Sequence, residues 1–311
     1  MSTKTSKEAA LRSFRAITNA STADATRLLK NNSYRVEAAV DDFYNDPVAI
    51  SNAAKAGSSS SMEKKKVKEA TEKLGKLFDD YKEEGADEMD IEGTQEYFAH
   101  LGLDLEDVVV LALCFYLKAP AMGKFKRADF IKGWLLLDKA ATIEAQKQVL
   151  VGLRKDFQED RRVRTEAGSS VNNVANGSPS ESGGLYTKTY EFTYGFARRE
   201  GQKSLDLETA IAFWDLIIPH APTFAKSDGS SNGSFTQGQL EMWKRYLKEK
   251  TDGRAVSKDT WALFLEFTKE IDQDFKNHDE DGAWPSVIDD FVYWARDEIA
   301  AGRGPNAMEE D

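Results

Sequence analysis

The chain has 311 residues, enough for one to three domains, with 41% hydrophobic and 31% charged residues and only seven prolines. A single cysteine excludes an intramolecular disulfide framework, and no basic start followed by an apolar segment marks a secretory signal, so an intracellular, cytoplasmic or nuclear address is expected. The net charge of −11 is concentrated at one end. Residues 252–311 carry six Lys or Arg against 16 Asp or Glu. Such a field repels phosphate backbones and favours a basic protein surface, which argues against nucleic acid as a partner.

Residues 6–47 read as three short helices. Ala10, Leu11, Phe14 and Ile17 repeat at helical spacing, and Ser21 with Asp24 forms an N-cap and its acidic third position. Ala25, Leu28 and Leu29 stripe the second helix. Val36, Ala39, Val40 and Phe43 stripe a third, which Pro47 should stop. A bundle of this size is near the lower limit for autonomous folding.

Residues 48–62, which include AKAGSSSS, read as a flexible linker, being too small and polar to bury a core. From Glu63 to about residue 300 helical patterns dominate, giving an all-α chain: a small three-helix bundle followed by a larger helical domain. Ser/Gly/Asn-rich insertions near 164–184 and 225–233 read as disordered and removable, and 301–311 as a flexible tail.

The longest apolar run, Val108–Leu117, is ten residues, half of the roughly 20 a bilayer-spanning helix requires. No membrane partner follows. Cys114 lies inside that run, where a helix would bury it, so it reads as core and not as a nucleophile. His100, His220 and His278 are scattered and read as surface or capping residues. No Walker loop, no GxGxxG and no Cys/His cluster at ligand spacing occurs, so neither an enzyme nor a cofactor is expected.

Several helix–loop–helix stretches look like degenerate EF-hands. With Asp80 at position 1, Lys82 falls at position 3 and Ile91 at position 12; Lys118 to Asp129 lacks acids at positions 1, 3 and 5. Gly85 and Gly123 keep only the turn. Asn277, Asp279 and Asp281 occupy positions 1, 3 and 5 of a third loop with Gly282 at position 6. Pro285 and Ile288 then fill positions 9 and 12, which removes the bidentate acid and leaves no metal site expected.

The blocks SKDTWALFLEF (Ser257–Phe267) and HDEDGAWPSVIDDFVYWAR (His278–Arg296) resemble the C-terminal signature of the defective-in-cullin-neddylation proteins. FTYGFARREGQKSLDLETAIAFWDLI (Phe192–Ile217) resembles the same family's potentiating-neddylation domain. FRAITNAS and NSYRVEAAVDDFYNDP resemble the ubiquitin-associated domain that precedes it in many members. Where such domains carry a Met-Gly-aromatic loop, this chain has Thr18-Asn19-Ala20-Ser21.

The resemblance implies a non-catalytic scaffold-type co-ligase that brings a cullin C-terminal region to the conjugating enzyme charged with a Nedd/Rub-type modifier. By it the cullin contact maps to Asp259, Ala283 and Asp289. A pocket for the N-terminally acetylated methionine of the conjugating enzyme maps to Val110, Leu113, Cys114, Leu117, Phe125, Phe196, Phe213 and Leu216. It further implies that the N-terminal module binds ubiquitin or the modifier. The alternative is a ubiquitin-binding or calcium-responsive adaptor outside neddylation.

Overall fold

The computed structural model describes residues 2–161, 163–164, 183–225 and 233–305, the side chains of 2–5 and 54–61 excepted. It divides into two units, Met1–Glu72 and Lys73–Asp311.

In the first unit, α1 (Ser2–Thr18), α2 (Thr22–Asn31) and α3 (Val36–Tyr44) pack as a bundle, with Phe14, Leu28, Leu29, Ala39 and Phe43 buried. Phe14 meets Phe43 edge to face at 6.1 Å, the arrangement their quadrupoles favour. Asn19, in the left-handed region at φ 52°, ends α1. Ser21 then caps α2 by accepting from the Asp24 N–H at 3.0 Å, while its hydroxyl donates to the Asp24 carboxylate at 2.8 Å. Ile17, placed on the apolar stripe by spacing, is instead 56% exposed.

Two local expectations are corrected here. Pro47 does not only stop α3. It is the first residue of α4 (Pro47–Asp79), whose amides at Val48 and Ala49 both donate to Asp46 Oδ1 at 3.0 Å. The stretch 48–62, expected to be a flexible linker, therefore runs as helix. Ala49 and Ala53 bury into the bundle core at one end, and Lys65–Glu69 and Lys68–Glu72 pair one turn apart further on, so good helix formers on both sides outweigh the serines.

The second unit is helical apart from a small antiparallel sheet of two two-residue strands among the described residues. After α4, β1 (Glu88–Met89), α5 (Ile91–Leu101), α6 (Val108–Tyr116), β2 (Phe125–Lys126) and α7 (Arg127–Leu136) form two helix–loop–helix units. Their loops pair as Glu88 with Lys126 and Met89 with Phe125. Gly85 and Gly123 make the turns at φ 79° and 70°, and a side chain at Gly123 would meet Ile91 Cγ1 at 2.8 Å.

The pattern repeats further on with α9 (Leu185–Ala197), α10 (Leu207–Ile217), α11 (Gln237–Lys250) and α12 (Lys258–Glu270). There Leu205 and Val256, in the loops before α10 and α12, exchange backbone hydrogen bonds at 2.9 and 2.7 Å. Between the two sets lies α8 (Ile143–Gln158), and α13 (Ser286–Ala300) follows them.

An aromatic stack ties α9, α10 and α12 together. Trp261 stacks against both Tyr190 and Trp214, with ring centroids 4.6 and 5.2 Å away and planes within 16°. The Tyr190 hydroxyl donates to the Trp261 carbonyl at 2.7 Å and accepts from the Trp214 indole at 2.9 Å. The Trp261 indole in turn donates to the Tyr190 carbonyl at 3.0 Å. All these polar groups are buried and satisfied, as burial demands.

The predicted insertions fall largely on residues 165–182 and 226–232, outside the described residues, but their bases are closed. Leu185 N–H donates to Arg161 O at 2.7 Å, and Asp160 accepts from the Thr187 N–H and hydroxyl at 3.0 and 2.9 Å. Ala225 N–H likewise donates to Phe235 O at 2.7 Å. Replacing 165–182 by a short Gly-Ser link is therefore expected to raise stability by about 1 kcal/mol through lower loop-closure entropy. Calorimetry that found a lower Tm would show that the segment contributes native contacts.

The stretch from 301, expected to be a flexible tail, is instead anchored over its described part: Arg303 pairs with Glu298, and Pro305 is buried with its carbonyl against Gly238. Residues 306–311 lie outside the described residues.

Candidate functional site

Asp259 stands exposed in the first turn of α12, and Asp289, part-buried, in the first turn of α13. Both carboxylates thus sit where the positive end of a helix dipole favours negative charge. Asp259 is not the N-cap of its helix. That role belongs to Ser257, whose hydroxyl oxygen accepts from Thr260 N–H at 3.0 Å. Asp259 makes no hydrogen bond or ion pair among the described residues, which leaves its carboxylate open to an outside donor.

Ala283 is exposed in the segment that leads into α13. Its neighbour Gly282 closes a turn by donating to Asp279 O at 3.1 Å, and a side chain on Gly282 would sit 2.7 Å from the Trp284 indole nitrogen. Trp284 packs against Phe267 of α12 at 6.0 Å. The turn therefore presents Ala283 outward because the residue after it is drawn inward.

His278 is the residue that sequence reasoning misplaced. Its backbone is accessible, but its ring is only 2% exposed, set against Phe267 at 6.0 Å and Trp284 at 5.8 Å. Nε2 donates to Asp289 Oδ1 at 2.8 Å. A partner eleven residues away across a loop leaves no local signal in the sequence.

The loop around it is braced at several points. Asn277 donates to Glu270 O at 2.6 Å and accepts from Asp272 N–H at 2.8 Å; Asp279 accepts from Asp281 N–H at 3.1 Å. These are the oxygens that would occupy positions 1 and 3 of a calcium loop, and backbone donors already use them. Among the described residues, no group of three or more His, Cys, Asp or Glu converges to hold a metal ion. On the same surface Arg296 holds Glu280 at 2.7 Å, and this hydrogen bond keeps the Glu280 carboxyl below its ordinary range.

The eight residues assigned to the apolar pocket come from α6, β2, α9 and α10, with Leu117 closing α6. Seven are buried in one continuous core, and Leu216 is partly buried against it. Burial pushes the Cys114 thiol up to about 12, so it holds almost no thiolate at neutral pH.

Comparison with known proteins places both modules. A family model described as a UBA-like domain matches residues 8–49, and one described as cullin binding matches residues 166–294. The chain is 48% identical over 320 residues to "Defective in cullin neddylation protein 1" of Mycosarcoma maydis, covering 98% of this chain and 99% of that one. The protein of the same name in Cryptococcus neoformans var. neoformans is 32% identical over 92% of each chain. "DCN1-like protein 3" of Xenopus laevis is 31% identical over 72% of this chain and 62% of its own.

Fold and matches together define an all-helical protein with a UBA-like module ahead of a larger domain of the cullin-binding type. The chain belongs to the family of defective in cullin neddylation proteins.

Proposed function

We propose that this chain is a non-catalytic co-ligase of cullin neddylation, holding a cullin C-terminal region beside the conjugating enzyme that carries the Nedd/Rub-type modifier. The observation that carries this reading is the cullin-binding match over residues 166–294, which spans Asp259, Ala283 and Asp289 together, in a chain whose relatives are named for cullin neddylation.

Two carboxylates at helix N-termini and one exposed methyl group suit a basic side chain entering between them. Acceleration then needs no acid, base or nucleophile from this chain. Holding a thioester near its target lysine raises effective concentration and restricts orientation. The buried, weakly acidic Cys114 thiol agrees, since a thioester carrier needs an accessible thiolate.

In this reading the acetylated methionine of the conjugating enzyme inserts among Val110, Leu113, Cys114, Leu117, Phe125, Phe196, Phe213 and Leu216. Acetylation removes a charge that would be costly to desolvate there. Leu216 is the most accessible of the eight, so entry begins at its side of α10. Ubiquitin or the modifier is the partner proposed for the N-terminal module, where Ile17 and Tyr44 are exposed near the ends of α1 and α3. No helix among the described residues is long and apolar enough to cross a membrane, and the proposed place of action is the cytoplasm, the nucleus or both.

A reconstituted transfer reaction with purified conjugating enzyme, modifier and cullin tests the reading: adding this chain should raise the rate of cullin modification. Asp259→Asn with Asp289→Asn should weaken cullin binding about tenfold or more, and the wild-type affinity should fall as salt is raised. Salt-independent binding that the double variant leaves unchanged would remove the acidic site from the proposal.

A further inference from the structure

We infer that His278 is a positioning residue for the cullin contact, fixing the Asp289 carboxylate in the orientation that a basic partner side chain meets. The inference rests on the reading above and adds a residue that this reading does not contain.

Three observations carry it. The His278 side chain is 2% exposed while the Asp289 side chain it binds remains 31% exposed, so one partner is enclosed and the other reaches solvent. Among the described residues only Asp289 Oδ1 is engaged, by Nε2 at 2.8 Å, which leaves the second oxygen for an outside donor. The ring itself has little freedom, because Phe267 and Trp284 pack against it and the backbone ahead of it is tied down at two points.

Those ties come from separate helices. The buried Gln239 of α11 donates to Asp272 O at 2.9 Å, and Arg296 of α13 donates to Phe275 O at 3.0 Å, with Phe275 fully buried in the left-handed region at φ 58°. A side chain held by packing and braced backbone can hold another in turn, whereas an exposed aspartate left alone samples several rotamers and must be ordered when the partner arrives. The Asp289 carboxylate is therefore ordered before binding.

Cullin affinity measured by calorimetry on the full chain tests this with three variants. His278→Phe keeps a ring between Phe267 and Trp284 but removes the donor, and it should lower affinity about three- to tenfold. His278→Gln can still present an N–H to Asp289 and should recover part of that loss. In an Asp289→Asn background, His278→Phe should have little further effect, because a group acting through Asp289 has nothing left to position.

Wild-type affinity in a folded His278→Phe variant would overturn the inference. So would an equal loss in the Asp289→Asn background, which would mark a general structural role. Should His278→Phe fail to fold, the comparison of His278→Gln with and without Asp289→Asn decides by the same additivity criterion. If Asp289→Asn alone leaves cullin affinity intact, the acidic-site reading has failed. If Asp289→Asn weakens binding and a folded His278→Phe does not, only the present inference has.

Discussion

Ala283→Arg is expected to abolish cullin binding, with affinity reduced at least about 100-fold, while leaving the fold intact. Ala283 is exposed, so a longer side chain at that position points into solvent and meets no core atom. Exposed substitutions of this kind change stability by no more than about 0.5 kcal/mol. The cost falls on the complex instead. The guanidinium fills the space a partner side chain would enter, and it places a positive charge against a basic partner, where a like-charge contact costs several kcal/mol. Calorimetric titration with a cullin C-terminal domain, beside thermal denaturation, separates the two quantities. An unchanged affinity in a protein of unchanged Tm would count directly against the assigned surface.

Trp261→Ala should produce the largest loss of stability. Its side chain is 1% exposed and stacks against Tyr190 and Trp214, and its indole N–H donates to the buried Tyr190 carbonyl. Truncation leaves a large cavity and removes a buried hydrogen bond to that carbonyl, so the cost should be about 3–5 kcal/mol, within the range for Trp→Ala in cores. For a domain of this size that corresponds to a Tm lower by roughly 6–20 °C. Tyr190→Phe removes only one hydroxyl, yet that hydroxyl both donates to the Trp261 carbonyl and accepts from the Trp214 indole. Its expected cost is about 1–3 kcal/mol, and the two changes should be non-additive because they share partners. Calorimetry on both single variants and the double measures the coupling. Strict additivity would mean that the stack and its hydrogen bonds stabilise the domain independently.

The two variants probe surfaces with opposite logic. Ala283 matters because nothing covers it, and Trp261 because α9, α10 and α12 all pack around it. Their expected phenotypes should separate cleanly: loss of binding without loss of Tm for the first, and loss of Tm for the second.

Much of the helical plan was legible in the residues themselves, because capping and periodicity are local. Ser21 with Asp24 marked the start of α2, Gly85 and Gly123 marked turns that do take left-handed φ values, and the run around Cys114 announced a helix buried on all sides. The family blocks around Asp259, Ala283 and Asp289 were equally readable. Composition misled at 48–62, where a Ser/Gly-rich stretch lies within α4, and at 301–305, where the chain folds back through Arg303 and Pro305. In both cases a neighbour supplies what the local sequence lacks: buried Ala49 and Ala53 for the helix, Glu298 and Gly238 for the tail.

The sequence by itself determined that this chain is helical, acidic toward its C-terminal end, without a disulfide framework, and similar to one family over nearly its whole length. Only the tertiary structure decided that His278 is an inward-facing ring bonded to Asp289 and that Tyr190 is bonded to Trp261, 71 positions along the chain. Local sequence governs caps and turns because the atoms involved are a few bonds apart. Pairings between distant residues depend on which helices come to share a core, and that is settled by packing the whole domain at once.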